Sequence, residues 1–383
     1  MSFDARKIEE LLPATPEESA AQAGLVYISP DIPGITRKKS GKGYSYYLPS
    51  GKLMRDKAER ARCNALAIPP AYEEVWICPL RNGHLQATGY DAKGRKQYRY
   101  HQLWTEYQNY TNHLRMLEFG HLLPKIRTRV QADLENPDRT LHRKRVLATV
   151  VRLLDLTLIR IGNEQYAKRN NSYGLSTIRK KHVEVEDRES FVFEFQGKSG
   201  QEHRVTVHNP KLTKIVRRSM EVPGWELFKY FDDDGERHDL TSTHVNEYLQ
   251  EITGQDITAK DFRTWWASVL AFMTLEENLD DIETLSNDKS LKRQVTKAIK
   301  YASTKLGNTP SVCKKYYIYP GLLDAYLERK MARIIQNFSE TYGPRELSLE
   351  ERKTLYFLEH HLLNNEKSPL PNKQAGENNP NQR

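Results

Sequence analysis

Tyrosine, arginine and lysine recur in this chain where they could exchange a phosphodiester without a metal. Such chemistry needs a nucleophilic oxygen, cations on the non-bridging oxygens of a pentacoordinate transition state, and a proton for the departing 5′ oxygen. The candidate nucleophiles crowd into one segment, Leu306-Gly307-Asn308-Thr309-Pro310-Ser311-Val312-Cys313-Lys314-Lys315-Tyr316-Tyr317, with Tyr319 close behind. Position alone leaves Tyr316, Tyr317 and Tyr319 open, since a tyrosine is ordinarily a packed ring with a satisfied hydroxyl. The candidate cations stand upstream: Arg160 in Ile159-Arg160-Ile161-Gly162-Asn163-Glu164, Lys198 in Gly197-Lys198-Ser199-Gly200, and the pair Lys260 and Arg263.

Each cation also has an ordinary explanation. Arg160 closes an apolar helical face, where burial is expensive without a partner, and Asp155 or Glu164 could supply a salt bridge. Lys260 and Arg263 are one helical turn apart and can face one phosphate, yet such a pair usually marks a solvated helix start. Gly197-Lys198-Ser199 is not a nucleotide-binding P-loop, because Val192 stands where that motif needs glycine and the lysine joins two strands. Asn308 can donate a hydrogen bond to a phosphate oxygen but cannot titrate near neutrality; alternatively it caps the Thr309-Pro310 helix start. Asp232-Asp233-Asp234-Gly235 lacks the acid a calcium loop needs at residue 230, which is Tyr, so it reads as a tight acidic turn with no metal implied.

The elements that must position these groups fall into two styles. Residues 1–24 form a polar lead-in with a helix start at Thr15-Pro16-Glu17-Glu18. Residues 25–101 break into short strands such as Tyr44–Leu48, Val75–Pro79 and His84–Tyr90, with one helix near Asp56–Leu66. From residue 102 the pattern turns helical, with Val146, Leu147, Val150, Leu153, Leu154, Leu158 and Ile161 on one buried face. Between Val183 and Val207 the period becomes two, which predicts a three-stranded antiparallel sheet with Lys198 at a hairpin tip. Helices resume at about 212–218, 241–252, 261–275, 289–307 and 321–338. The fold class expected is α+β: a small β-rich domain over 25–101, a mostly α catalytic domain over 102–345, then a helix and a disordered Asn/Pro/Gln/Gly-rich tail over 346–383.

Composition narrows the partners. With 59 Lys+Arg against 50 Asp+Glu the 383-residue chain carries +9, which favours a polyanion. Cys63, Cys78 and Cys313 are scattered, without disulfide-framework or zinc spacing. No apolar run approaches a membrane span, and the amino terminus does not read as a signal peptide, so a cytoplasmic, nucleoid-associated protein is expected. Two stretches interleave basic and aromatic residues, Arg37-Lys38-Lys39 with Tyr44, Tyr46 and Tyr47, and Gly94-Arg95-Lys96-Gln97-Tyr98-Arg99-Tyr100-His101. Both suit phosphate and stacking contacts, or simply a strand with an exposed basic face.

Taken in order, Arg160, Lys198, Lys260-x-x-Arg263, Asn308 and the tyrosine resemble the active site of the short type IB DNA topoisomerases of bacteria and poxviruses, over roughly residues 25–345. The tyrosine recombinases share the catalytic fold but typically have His where this chain has Lys260. The resemblance implies Tyr317 as nucleophile, nine residues after Asn308. It further implies Arg160, Arg263 and Asn308 as transition-state donors, Lys198 as general acid and Lys260 as a phosphate contact. Poxvirus and eukaryotic members have His at the Asn308 position, so any proton transfer here is left to Lys198 and the arginines. Arg95, Gln97, Tyr98 and Tyr100 match a duplex-binding stretch of the family, and Tyr166, with Tyr173-Gly174-Leu175, completes another signature near the phosphates. The same resemblance implies a monomer clamping duplex DNA with no metal, ATP or other nucleotide cofactor. A recombinase and a non-catalytic DNA-binding protein are the alternatives.

Overall fold

The computed structural model describes residue 8 and residues 12–41, 43–136, 140–279 and 288–364. The expected disordered tail lies outside the described residues. The chain divides into two compact units, one reaching Arg115 and the other running from Met116 to Asn364. The division falls inside the helix Gln102–Glu135, and the last helix belongs to the second unit.

In the first unit, α1 (Pro16–Gln22) starts as its sequence dictates: Thr15 caps it, accepting from Glu18 N at 3.1 Å, and Glu18 reaches back to Ala14 N at 2.9 Å. Five antiparallel strands come next, β1 (Ile35–Ser40), β2 (Gly43–Tyr47), β3 (Glu73–Ile77), β4 (Leu85–Tyr90) and β5 (Lys96–Tyr100), in the order β2-β1-β3-β4-β5. Between β2 and β3, α2 (Lys57–Ala65) is capped by Asp56 and covers one face of the sheet. Ile35, Tyr46, Met54, Cys63, Val75, Ile77 and Ala87 meet there in one core. The basic stretch of β1 is less available than its sequence suggests. Arg37 spends its guanidinium on the carbonyls of Ile68 at 2.8 Å and Pro69 at 2.5 Å and lies over the Tyr44 ring. Its role is to hold the strand, leaving Lys38 and Lys39 as the outward cations.

The helix α3 (Gln102–Glu135) leads into the second unit. There α4 (Arg143–Thr157) buries the predicted apolar face, but it ends sooner than expected: Leu158 turns left-handed at φ 57° and stops the helix by an N–H bond to Leu154 O at 3.1 Å. Arg160 and Ile161 therefore stand on a loop leading to α5 (Glu164–Asn170). The strands β6 (Val183–Val185), β7 (Ser190–Gln196) and β8 (Glu202–His208) form the predicted sheet, with Phe193 opposite Val183 and Val205. Val192 is buried along with Phe191, Phe193 and Phe195, because α6 (Pro210–Glu221) packs against β7 and covers its second face. An additional two-stranded ribbon, β9 (Lys229–Phe231) with β10 (Arg237–Asp239), goes beyond the expected sheets. The acidic turn closes it: Asp232 accepts from Asp234 N and Glu236 N and meets His238 Nε2 at 2.6 Å.

The remaining helices are α7 (Ser242–Thr253), α8 (Ala259–Glu276), α9 (Asp288–Leu306), α10 (Pro310–Tyr316), α11 (Pro320–Leu327), α12 (Lys330–Ile335) and α13 (Leu349–Asn364). The single helix expected over 321–338 is two, broken where Arg329 adopts φ 59°. Buried α8 is the axis of this unit, with α9 and α13 packed on it.

One ion network ties α3, α4, α8 and α13. Arg127 forms a two-pronged pair with Asp155 at 2.9 and 3.0 Å and another with Glu351 at 2.9 Å, while Trp265 and Trp266 donate to Glu351 and Asp155 at 3.2 and 3.0 Å. Both carboxylates are nearly inaccessible, so removing their shared cation leaves charge buried and underpaired. Arg127→Met is expected to cost about 3 kcal/mol, the low end of the range for breaking a buried pair because other donors remain. Urea unfolding followed by tryptophan fluorescence measures this, and a loss under about 1 kcal/mol would contradict the network's role.

Candidate active site

Three helix ends and one loop converge on a cluster of cations. At the start of α8, Thr258 and Asp261 form a capping box, with Thr258 N and Oγ1 each 2.8 Å from Asp261 Oδ2. This fixes the first turn, so Lys260 projects to solvent and Arg263, one turn on, points inward and is 3% exposed. Arg263 donates from Nη1 to the carbonyl of Leu158 at the end of α4, and from Nη2 to that of Leu306 at the end of α9, at 2.8 Å. Both carbonyls sit at the negative end of a helix, which offsets the cost of burying the cation.

Arg160 approaches from the loop after α4. Its backbone is held by Leu175 N bonding to Arg160 O at 2.9 Å and Ser176 N to Ile161 O at 2.6 Å, which gives the Tyr173-Gly174-Leu175 signature a structural task. The side chain makes neither of the expected salt bridges. Asp155 belongs to Arg127, Arg152 and Trp266, and Arg160 donates instead to Asn308 Oδ1 and to Gly307 O at 3.3 Å. Asn308 thereby orients a guanidinium, while Thr309 is the residue that caps α10, accepting from Val312 N at 3.4 Å. Asn308 Nδ2 and Arg263 Nε are buried donors with no hydrogen-bond partner among the described residues.

Tyr317 ends α10. Its N–H bonds to Cys313 O at 3.1 Å, and Ser268 of α8 holds the following segment by accepting from Tyr319 N at 3.0 Å. The ring is half-buried with the Arg263 guanidinium 5.4 Å from its centroid. Burial alone would push the phenol up, but Arg263 first, then Arg160 and Lys260, bring it below the ordinary tyrosine value. Burial, with Arg160 next, pulls the Arg263 guanidinium down in turn. Tyr316 contrasts with this: it is 56% exposed and its ring meets the Lys315 ammonium at 5.0 Å. The Tyr319 hydroxyl is engaged with His361 Nδ1 at 2.7 Å.

Lys198 sits in a 3₁₀ turn over Lys198–Gly200 at the tip of the β7–β8 hairpin, exposed, with no ion pair among the described residues. Among the described residues no hydrogen bond or ion pair brings its side chain into the cluster, but the hairpin itself reaches it through His203 on β8, whose ring adjoins Gly307. Residue types and spacing do not single out His203. Its only signal is its place five residues after Lys198 in Gly-Lys-Ser-Gly-Gln-Glu-His.

In the first unit the four anticipated DNA contacts lie on or beside β5, an edge strand of the sheet. Tyr98 and Tyr100 are each 48% exposed, with ring planes 9° apart at 6.1 Å. Arg95 and Gln97 are not free fingers: both bond to Asp91 Oδ2, at 2.8 and 3.0 Å. The Arg95 side chain, foremost, holds the Asp91 carboxyl down to about 2. Tyr166 lies on α5, and its side chain is outside the described part of the structure.

The arrangement is a cluster of arginines around one half-buried tyrosine, residue types that can act on a phosphodiester. Comparison with known proteins agrees with it. The model of the eukaryotic DNA topoisomerase I catalytic core matches residues 94–338, and that of the bacterial DNA topoisomerase IB N-terminal domain matches residues 43–91. DNA topoisomerase 1B of Acanthamoeba polyphaga mimivirus is 32% identical over 297 residues, covering 76% of this chain and 87% of that protein. DNA topoisomerase 1B of Vaccinia virus (strain Copenhagen) is 24% identical over 265 residues, 69% of this chain and 79% of the relative. DNA topoisomerase 1 of Candidozyma auris is 28% identical over 157 residues, 40% and 19% respectively. The chain belongs to the type IB DNA topoisomerases, isomerases whose substrate is DNA.

The cations around Tyr317 set a measurable expectation. The alkaline absorbance titration of the wild type minus that of Tyr317→Phe should contain one phenol ionising below about 10, the free tyrosine value. It should move upward in Arg263→Gln. A difference curve centred at or above the free value would refute the cation effect.

Proposed function

We propose that this protein relaxes supercoiled duplex DNA by transient cleavage of one strand. The observation that carries this reading is the half-buried Tyr317 beside Arg263, with Arg160 and Asn308 linked to the same cluster. The Tyr317 phenol gives its proton to solvent, and its oxygen attacks phosphorus as the P–O5′ bond breaks. The strand's 3′ phosphate becomes a tyrosyl ester, and the 5′ oxygen leaves as a hydroxyl with a proton from Lys198. Arg160, Arg263 and Asn308 hold the non-bridging oxygens; Arg263 Nε and Asn308 Nδ2, without a partner among the described residues, suit this task. Asn308, an amide, contributes hydrogen bonding alone. Lys260, exposed at the start of α8, adds charge at the same phosphate.

Because the ester conserves the energy of the broken bond, rotation of the free end and reverse attack by the 5′ hydroxyl restore the strand without ATP or a divalent metal. Tyr98 and Tyr100 offer exposed rings to the duplex, and Arg95 and Gln97 do so by exchanging Asp91 for phosphate. Tyr166 completes the DNA contacts. We take the protein to act as a monomer, since one chain carries every residue type the reaction needs. The three buried thiols suit a reducing cytoplasm, where the nucleoid is at hand.

A plasmid assay tests the whole reading. Relaxation is expected in EDTA without nucleotide, with a salt optimum, because each phosphate neutralised releases counterions and weakens binding as salt rises. Exchange between sites without relaxation would favour the recombinase chemistry instead. Tyr317→Phe should lose both relaxation and the covalent adduct while keeping duplex affinity, and Tyr316→Phe should remain active. An adduct surviving in Tyr317→Phe would move the nucleophile. Arg263→Ala should slow single-turnover cleavage by about 10²- to 10³-fold, the usual loss for one transition-state donor. Lysine should restore little at that position, since it lacks the planar fork that reaches two carbonyls.

A further inference from the structure

The lysine hairpin and the tyrosine cluster meet at one side chain that neither needs by chemistry. His203 leaves β8 and lies stacked on Phe195 of β7, with ring centroids 5.1 Å apart and planes 14° from parallel. A Cβ on Gly197, the residue before Lys198, would stand 2.6 Å from Cδ2 and Nε2 of this imidazole. A Cβ on Gly307, the residue before Asn308, would overlap its Cε1 and come within 3.2 Å of Nε2. The ring thus fills a slot that two glycines keep open, one at the base of the hairpin and one at the end of α9. Gly307 also needs its left-handed φ of 58° to let the chain leave the helix toward Asn308.

The electrostatic setting is consistent with a neutral ring. Burial first, then the nearby charges of Arg160 and Arg263, hold the His203 imidazole below the usual histidine value. An uncharged, flat, stacked ring can act as a spacer between two backbones without repelling the arginines behind it. Lys198 itself has no ion pair among the described residues to fix its place, so the base of its turn is where its position is set.

We propose that His203 is a positioning residue for Lys198: packed between Gly197 and Gly307, it docks the lysine hairpin onto the arginine and tyrosine cluster so that the ammonium can reach the departing 5′ oxygen. This rests on the reading of Lys198 as the general acid. His203 touches neither phosphate nor nucleophile in this role. Its loss should behave like a loss of the acid, not like a loss of a phosphate donor.

Linkage chemistry separates these outcomes. Single-turnover cleavage is measured on a duplex with an ordinary linkage and on one with a 5′-bridging phosphorothiolate, whose sulfur leaves without needing an acid. The variants are Lys198→Ala, His203→Ala, their double mutant and Arg263→Ala. On the ordinary linkage His203→Ala should be slowed by about 10²-fold, the cost of a displaced catalytic group. It should regain most of that on the phosphorothiolate, as Lys198→Ala should, whereas Arg263→Ala regains little. The double mutant should be no slower than Lys198→Ala. Gly197→Ala, which keeps His203 but crowds it, should show the same linkage pattern and guards against a folding artefact. If Lys198→Ala is rescued but His203→Ala is equally slow on both linkages, or the double mutant is slower by the product of the two defects, the positioning role is wrong and the general acid stands. Full activity of His203→Ala would also overturn it. If Lys198→Ala is not rescued, the general-acid reading falls and this proposal falls with it.

Discussion

Arg263 places a full positive charge at 3% exposure, and the second unit is organised by how that charge is accommodated. No carboxylate among the described residues bonds to it. Its two Nη groups go to the backbone carbonyls of Leu158 and Leu306, the last acceptors of α4 and α9. A carboxylate would bind more strongly but would cancel the charge that the proposed phosphate contact requires. Helix-end carbonyls supply only a partial negative charge, roughly half an elementary charge per helix. The guanidinium is therefore held in place and remains electrostatically hungry, with Nε still unpartnered among the described residues. Three helices are brought into register by one side chain, and the residues just beyond two of those ends, Arg160 and Asn308, are delivered beside it.

Behind this cluster, the Arg127 network works on the opposite plan. There Arg127 and Arg152 balance Asp155 and Glu351, with both tryptophans of α8 completing the carboxylates. Asp155 lies in the last turn of α4, and Trp265 and Trp266 lie just past Arg263 on α8. The neutral network consequently fixes the two elements whose ends must remain charged. Rigidity and electrostatic tension are assigned to adjacent turns of the same helices.

Much of this is legible in residue order. The period-two run with Gly197-Lys198-Ser199-Gly200 yields the hairpin because a turn of that composition between alternating strands has few other solutions. The cap at Thr15 arises from local hydrogen bonding alone and is read directly, whereas at α10 the cap falls on Thr309, one residue past Asn308. What residue order does not reveal is where a helix yields to tertiary demands. The apolar pattern runs through Ile161, but Leu158 turns left-handed and frees its carbonyl for a residue 105 positions away. Arg329 breaks a periodic segment in the same manner. The partners of Arg160 and Arg95 differ from expectation for a related reason, since which group a long side chain reaches depends on folded geometry. His203 is invisible in the sequence because its proposed role is steric and is expressed by the absence of a Cβ on two glycines, one in its own hairpin and one at the end of α9.

One detail of α10 bears on the fidelity of the chemistry. Cys313 stands four residues before Tyr317 on the same short helix, and a thiolate is intrinsically the more aggressive nucleophile. Its side chain is fully buried, and that burial pushes its thiol up to about 11 even with Arg263 nearby to favour ionisation. The same cation field thus acts on two neighbouring groups with opposite results, because one is half open and the other sealed. In the proposed reaction this would make chemoselectivity a matter of hydration: the cations favour ionisation of the half-open phenol, while burial keeps the sealed thiol neutral. The scaffold has no need to exclude a more reactive atom from the vicinity of its substrate when it can withhold solvent from it.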